Sequence, residues 1–167
     1  MTSTSCTPRV YVSTFAKYVS GSIKGEWIDL EGLSEDTFRD LCRQIHSDES
    51  DPEIMIQDFE HIPKVFYSET GLNPKVWEWL SLDEDERDVV EAYSKALGSS
   101  DFDISDALDR FQGRFDTVED YARECAENTC LEIPSWLHID WKSTWECELR
   151  HDVTHADHFG MVYIFSN

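Results

Sequence analysis

Four residues of the types that bind zinc follow one another near the end of the chain: Cys147, His151, His155 and His158. Spacings of four, four and three residues would place them on one face of a helix, and all four are of the types that bind zinc. The helix prediction weakens there, because Val153 and Thr154 are β-branched and the chain leads into a strand. A solvated polar turn is the simpler interpretation, and the sequence predicts no metal and no other cofactor.

A second segment begins like a calcium-binding loop. Asp101, Asp103 and Ser105 occupy its first, third and fifth positions. The glycine expected at the sixth position is replaced by Asp106, and the bidentate glutamate expected at the twelfth by Gln112. Helix N-capping, with Ser105 as the cap, explains these residues better.

Catalytic motifs are missing from the rest of the sequence. The seven glycines and six histidines form no phosphate-binding loop, nucleophile elbow or HExxH motif. Pairs of carboxylates occur by chance among thirty-five acidic residues and do not indicate acid–base catalysis. We therefore expect no enzyme. The alternative is an acidic enzyme, salt-adapted or metal-binding, or an interaction domain of unknown substrate.

The net charge of −21 is spread over all 167 residues. Residues 1–61 contribute −7, residues 62–102 contribute −5 and residues 103–167 contribute −9. Duplex DNA carries one charge per ~1.7 Å, so this charge equals that of roughly 36 Å of duplex, about the width of a compact domain of this length. Such a surface disfavours binding to nucleic acid or to an anionic membrane, although solubility or salt adaptation would also explain it.

Composition indicates a folded protein. Apolar residues make up 40% and aromatic residues 13% of the chain, which excludes disorder. No apolar run approaches the ~18 residues of a membrane span, and the first ten residues lack the apolar stretch of a signal peptide. The five cysteines are irregularly spaced and fit reduced thiols. We expect a soluble, cytoplasmic protein.

The pattern of apolar residues predicts an α+β fold. We expect a first strand through Val10, Val12 and Phe15, a second at 23–30 and a third at 54–59. A helix that Ser34 caps is expected between the second and third strands. Ser81 is expected to cap the next long helix, whose apolar stripe is Leu82, Val89, Tyr93, Ala96 and Leu97.

The last third of the chain is expected to contain two short helices, a third at 141–149 and a strand at 159–165. Ser105 and Thr117 are the predicted caps of the first two. We expect an elongated chain of three small domains with a strongly acidic surface, at residues 1–61, 62–102 and 103–167.

Four segments in order resemble the signature segments of the ArdA antirestriction family: Tyr11–Leu30, His46–Pro63, Trp79–Leu97 and Ile133–Leu149. The stretches QDFE–IP and LDEDER are the most specific. The resemblance covers nearly the whole chain; it departs from the family at the His-rich stretch 152–160.

This resemblance implies a protein of mobile genetic elements that inhibits type I restriction-modification enzymes. Family members are elongated DNA mimics that dimerise through their C-terminal domains and occupy the DNA-binding groove of the methyltransferase core. The expected partners are thus the restriction-modification enzyme and a second copy of the chain.

Carboxylates on the outer faces of the predicted helices would then stand in for DNA phosphates. The predicted DNA-mimic surface consists of Asp83, Glu84, Asp85, Asp88, Glu91, Asp101, Asp103, Asp106, Asp109, Asp116, Glu119, Asp120 and Glu124.

A cluster of large apolar residues in the C-terminal third predicts the dimer interface. Its members are Ile133, Trp136, Leu137, Ile139 and Trp141. The core of this region is expected to be filled by other residues, namely Phe111, Phe115, Tyr121, Phe159 and Phe165. Surplus apolar surface flanked by polar residues is typical of an interface.

Overall fold

The computed structural model describes residues 7–129 and 132–167. The chain divides into two compact units, residues 1–83 and 84–167, and each combines helices with an antiparallel sheet. The predicted α+β class is confirmed. The division into three domains and the elongated shape stay predictions.

The first unit is built on a three-stranded sheet with strand order β2-β1-β3. Its elements are β1 (Arg9–Thr14), α1 (Phe15–Val19), β2 (Glu26–Asp29), α2 (Glu35–Ile45), β3 (Ile54–Glu60), a 3₁₀ turn (Lys64–Phe66), β4 (Tyr67–Ser68), β5 (Gly71–Leu72) and α3 (Lys75–Leu80). Val10 and Val12 of the central strand are fully buried, as the alternating pattern of that strand predicts.

Local capping decides where the helices of this unit begin. Ser34 caps α2 as predicted, because its hydroxyl accepts a hydrogen bond from the backbone N–H of Thr37. Thr14 caps α1 in the same way, so Phe15 begins a helix and does not extend the strand, contrary to expectation. The predicted cap Ser81 was also wrong, since it follows the end of α3 and its hydroxyl donates to the Glu78 carbonyl.

The described residues of the second unit form four α-helices and a sheet with strand order β6-β8-β7. Its elements are α4 (Glu84–Leu97), α5 (Ile104–Arg110), β6 (Phe111–Phe115), α6 (Val118–Asn128), α7 (Trp141–Cys147), a 3₁₀ turn (Leu149–His151), β7 (Val153–His158) and β8 (Met161–Ser166). No helix in the described part of the chain has the length and apolar character that crossing a membrane requires.

The central strand β8 is covered on both faces. Ile164 packs with Tyr121 and Trp145 in one cluster. On the opposite face the ring of Phe165 lies 4.8 Å from that of Tyr93 in α4, and both residues are buried. Because successive side chains of a strand point to opposite faces, β8 joins the two halves of this core.

Three expectations for the second unit were wrong. Helix α5 begins at Ile104 with Asp103 at the cap position, so Ser105 lies inside it. Residues 153–158 form an edge strand and not the solvated polar turn that was expected there. Phe159, expected in the core, is 77% exposed. The predicted cap Thr117 is confirmed, because its hydroxyl accepts from the backbone N–H of Asp120.

Candidate functional site

One face of α4 carries a row of carboxylates, which we call the α4 ridge: Glu84, Asp85, Asp88 and Glu91. Three of them are spaced i, i+4, i+7, which places them along one side of a helix. The opposite side packs into the unit, where Val89, Val90 and Tyr93 are buried. Of the predicted apolar stripe, however, Leu97 is exposed.

The inner members of the ridge are electrostatically crowded. Asp88 and Glu91 are half-buried. Burial raises the pKa of Asp88, and the charges of Glu84 and Asp85 raise it further. Burial also raises the pKa of Glu91, while Lys95, one turn along the helix, opposes that effect. At neutral pH these carboxylates are ionised at some cost to stability.

Arg114 and Lys95 are two of the basic side chains near the ridge, and both are engaged within the unit. A guanidinium nitrogen of Arg114, in β6, donates to a carboxylate oxygen of Asp85 at 3.0 Å. Hydrogen bonds to Tyr163 and Asp85 raise the pKa of Arg114. The Lys95 ammonium donates to Nδ1 of His158 at 2.7 Å. Neither contact neutralises the ridge as a whole.

The other predicted carboxylates of the second unit lie on two further segments. Asp101, Asp103, Asp106 and Asp109, in and before α5, are all exposed.

Around α6, Asp116 and Glu124 are exposed, while Glu119 and Asp120 are half-buried. Asp120 contributes to its own helix: its carboxylate accepts from the Thr117 hydroxyl and lies 3.7 Å from the Arg123 guanidinium. The remaining predicted acidic residue, Asp83, is exposed and ends the first unit.

Acidic residues exceed basic ones most strongly in the second unit. Residues 84–167 contain twenty acidic and seven basic residues, a net charge of −13, against −8 for residues 1–83. Even if every Lys and Arg of the unit paired with one acid, thirteen carboxylates would lack a basic partner from that unit.

The four C-terminal residues of zinc-binding type do not lie on one face of a helix. Cys147 ends α7, His151 lies in the following 3₁₀ turn, and His155 and His158 lie on β7. The ring of His155 packs edge-on against Trp145 at 5.0 Å. No group of three or more potential ligands that could hold a metal ion occurs among residues 7–129 and 132–167. The absence of a cofactor stays a prediction.

The predicted interface residues differ in exposure. Trp136 is 75% exposed, and Ile133 and Leu137 are also exposed. Ile139 is half-buried. Trp141 packs against the core of its own unit, which leaves the three exposed side chains as the apolar surface of this segment.

Two features of this unit were missed from the sequence. The contact between Lys95 and His158 joins residues 63 positions apart, for which no local pattern exists. The exposed Phe159 had a signal: a Phe–Gly pair separates two β-rich runs, as in a two-residue hairpin.

The first unit has an open groove of about 500 Å³. Its lining includes Tyr11, Tyr18, Met55, Tyr67 and one carboxylate, Glu69. The other lining residues are Gly21, Ser22, Ile23, Ile56 and Gln57, and no histidine, cysteine or lysine is among them.

Comparison with known proteins identifies the family of the chain. No curated protein sequence gives a significant match to the chain. The sequence profile described as "Antirestriction protein (ArdA)" matches residues 10–161, which is most of the chain and includes all of the acidic residues discussed above. The chain therefore belongs to the ArdA family of antirestriction proteins.

Proposed function

We propose that this antirestriction protein mimics B-form DNA and occupies the DNA-binding groove of the methyltransferase core of type I restriction-modification enzymes. The observation that carries the proposal is the excess of carboxylates in the second unit, with twenty acidic and seven basic residues. On this proposal the protein inhibits by competition for the groove and is not itself an enzyme.

The α4 ridge has a charge spacing close to that of a DNA strand. A helix rises 1.5 Å per residue, so the four ridge carboxylates fall within about 10 Å. A single DNA strand carries one phosphate per ~3.4 Å, or about three over that length. Lysine and arginine side chains that grip phosphates would meet carboxylates at a similar density.

The carboxylates are also held in place before binding. The ridge belongs to a helix whose opposite face is buried through Val89, Val90 and Tyr93. DNA that an enzyme bends must be deformed at a cost in free energy, whereas a rigid mimic avoids that cost. Long-range attraction would accelerate association and make it sensitive to salt.

We further propose that two chains associate through the exposed side chains of Ile133, Trp136 and Leu137. A dimer would carry −42 and present two copies of the acidic surface. Location in the cytoplasm, where restriction enzymes meet DNA, and carriage on a mobile genetic element follow from the same proposal.

The decisive experiment adds purified protein to a type I restriction enzyme and measures DNA cleavage and methylation. A variant with Asp83→Asn, Glu84→Gln, Asp88→Asn and Glu91→Gln should inhibit far less than the natural protein. One exposed charge contributes only ~1 kcal/mol or less, so each single change should have a small effect.

A matched variant tests whether the position of the charges matters. Glu26→Gln, Asp29→Asn, Asp51→Asn and Glu53→Gln remove the same number of carboxylates from the first unit, where all four are exposed. We expect this variant to retain most of its inhibition. Equal loss in both variants would show that net charge alone acts, and full inhibition by the first variant would contradict the proposed surface.

A further inference from the structure

The β7–β8 hairpin places a phenylalanine in an unfavourable backbone conformation. His158 pairs with Met161, so the turn consists of Phe159 and Gly160. Both have positive φ, 49° and 79°, which identifies a type I′ turn. Asn, Asp and Gly favour the first position of this turn, whereas a bulky side chain there is strained.

Burial of the ring does not explain that strain, because Phe159 is 77% exposed. The ring is supported from below: its centroid lies 4.1 Å from that of His158, which is 1% exposed. The Lys95 ammonium lies 5.9 Å from the same ring. The hairpin thus exposes the Phe159 ring to solvent while one side of that ring packs on the buried His158.

Acidic groups flank this support. Asp157 precedes the turn and is exposed. A carboxylate oxygen of Asp88, in the α4 ridge, lies 3.9 Å from Nε2 of His158. A strained residue whose side chain stays largely exposed points to a function. Here it is an uncharged aromatic ring projecting beside a set of carboxylates.

Resting on the proposed DNA mimicry, we propose that Phe159 replaces an extruded base and enters the pocket in which the methyltransferase holds its target base. Enzymes that modify a base take it out of the stack and hold it between aromatic or apolar side chains. The ridge carboxylates would take the place of backbone phosphates, and the Phe159 ring that of the base beside them. Stacking requires only a flat apolar face, which phenylalanine has.

The substitution Phe159→Asn separates this role from a structural one. Asn–Gly is a favoured type I′ sequence, so the variant should fold and melt no lower than the natural protein. Its affinity for the restriction enzyme should fall about tenfold. This loss of affinity should be similar at low and high salt, because the missing contact is apolar. The loss of affinity caused by neutralising the ridge should instead shrink as the salt concentration rises.

Ile23→Asn is the matched control, since Ile23 is 91% exposed in the loop between α1 and β2 of the first unit. It should bind as the natural protein does. If Phe159→Asn also binds normally while the natural protein binds and inhibits, the base-mimic inference is overturned and the proposed function stands. If the natural protein does not bind the enzyme, both are overturned.

A photo-crosslink locates the ring in the complex. With p-benzoylphenylalanine in place of Phe159, irradiation of the complex with the whole enzyme should join the two proteins at the base-binding pocket of the methyltransferase. Peptide mass spectrometry identifies the site. Crosslinks confined to another surface, or none from a variant that still binds, would overturn the assignment.

Discussion

The Lys95 ammonium lies 2.7 Å from Nδ1 of His158, inside the second unit. An ammonium group can only donate, so Nδ1 accepts and the ring is neutral with its proton on Nε2. Nε2 is buried without a hydrogen-bond partner among the described residues, and its approach to Asp88 is long, at 3.9 Å. Burial, followed by the charge of Lys95, lowers the pKa of His158 to about 4.

This neutral histidine should make the second unit sensitive to acid. Between pH 6.5 and about 4 the unfolded chain binds a proton that the folded chain excludes, so stability is lost as pH falls through that range. The loss is at most about 3 kcal/mol. In urea unfolding at several pH values, His158→Gln, whose amide oxygen can still accept from Lys95, should lose less stability on acidification. Parallel pH curves for the two proteins would contradict this assignment.

The half-buried carboxylates of the α4 ridge should have the opposite effect to His158, lowering the stability of the fold as pH rises. Folding raises the pKa of Glu91 above its ordinary 4.5, so the folded chain binds more protons and stability falls as pH rises through that range. At pH 7 Glu91→Gln should therefore stabilise the protein slightly, by about 1 kcal/mol or less, while weakening inhibition. Thermal melting checks the first effect and the cleavage assay the second. Asp85→Asn is the control, because removing its contact with Arg114 should bring no such gain. A lower melting temperature for Glu91→Gln would refute the argument.

Added salt should have opposite effects on the thermal stability of the protein and on its binding to the restriction enzyme. Like charges held close together destabilise a fold, and salt screens them over a Debye length of ~10 Å at 0.1 M. Raising the salt concentration should therefore increase the melting temperature and weaken binding to the restriction enzyme. Thermal melts and affinity measurements over the same salt series test this. A change of both in the same direction would argue against electrostatic mimicry.

The sequence predicted features that depend only on residues close together in the chain. Caps such as Ser34 and Thr117 could be identified because a hydroxyl at a helix start bonds to a backbone N–H three residues on. The excess of carboxylates follows from counting alone. Burial of Asp88 and Glu91 could not be predicted, because it depends on the packing of α4 into its unit.

The structure of the β7–β8 hairpin was missed because two sequence signals competed. The spacing of His151, His155 and His158 suggested a helix face, whereas the β-branched Val153 and Thr154 favoured a turn that leads into a strand. Pairing with the buried strand β8 decides in favour of the strand, and that pairing also turns Phe159 outward. Long-range hydrogen bonding therefore overrode the local helical spacing.

We expect dimerisation to depend on the apolar surface formed by Ile133, Trp136 and Leu137. We expect a homodimer at micromolar concentration, with a mass twice the 19.4 kDa of one chain. Because chains of charge −21 repel each other, the contact must be apolar and should tighten with added salt, unlike binding to the enzyme. Light scattering at low and high salt measures the mass. A monomer mass under both conditions would refute dimerisation.

Substitutions of Trp136 and Trp141 distinguish a role in the dimer interface from a role in the core. Trp136 is 75% exposed, so Trp136→Ala should loosen the dimer and leave the melting temperature of the monomer almost unchanged. Leu137→Ala should act in the same way. Trp141 packs against the core of its own unit, so Trp141→Ala should lower the stability of the fold itself. If Trp136→Ala left the mass unchanged and only reduced thermal stability, Trp136 would belong to the core of the chain and this segment would not form the dimer contact.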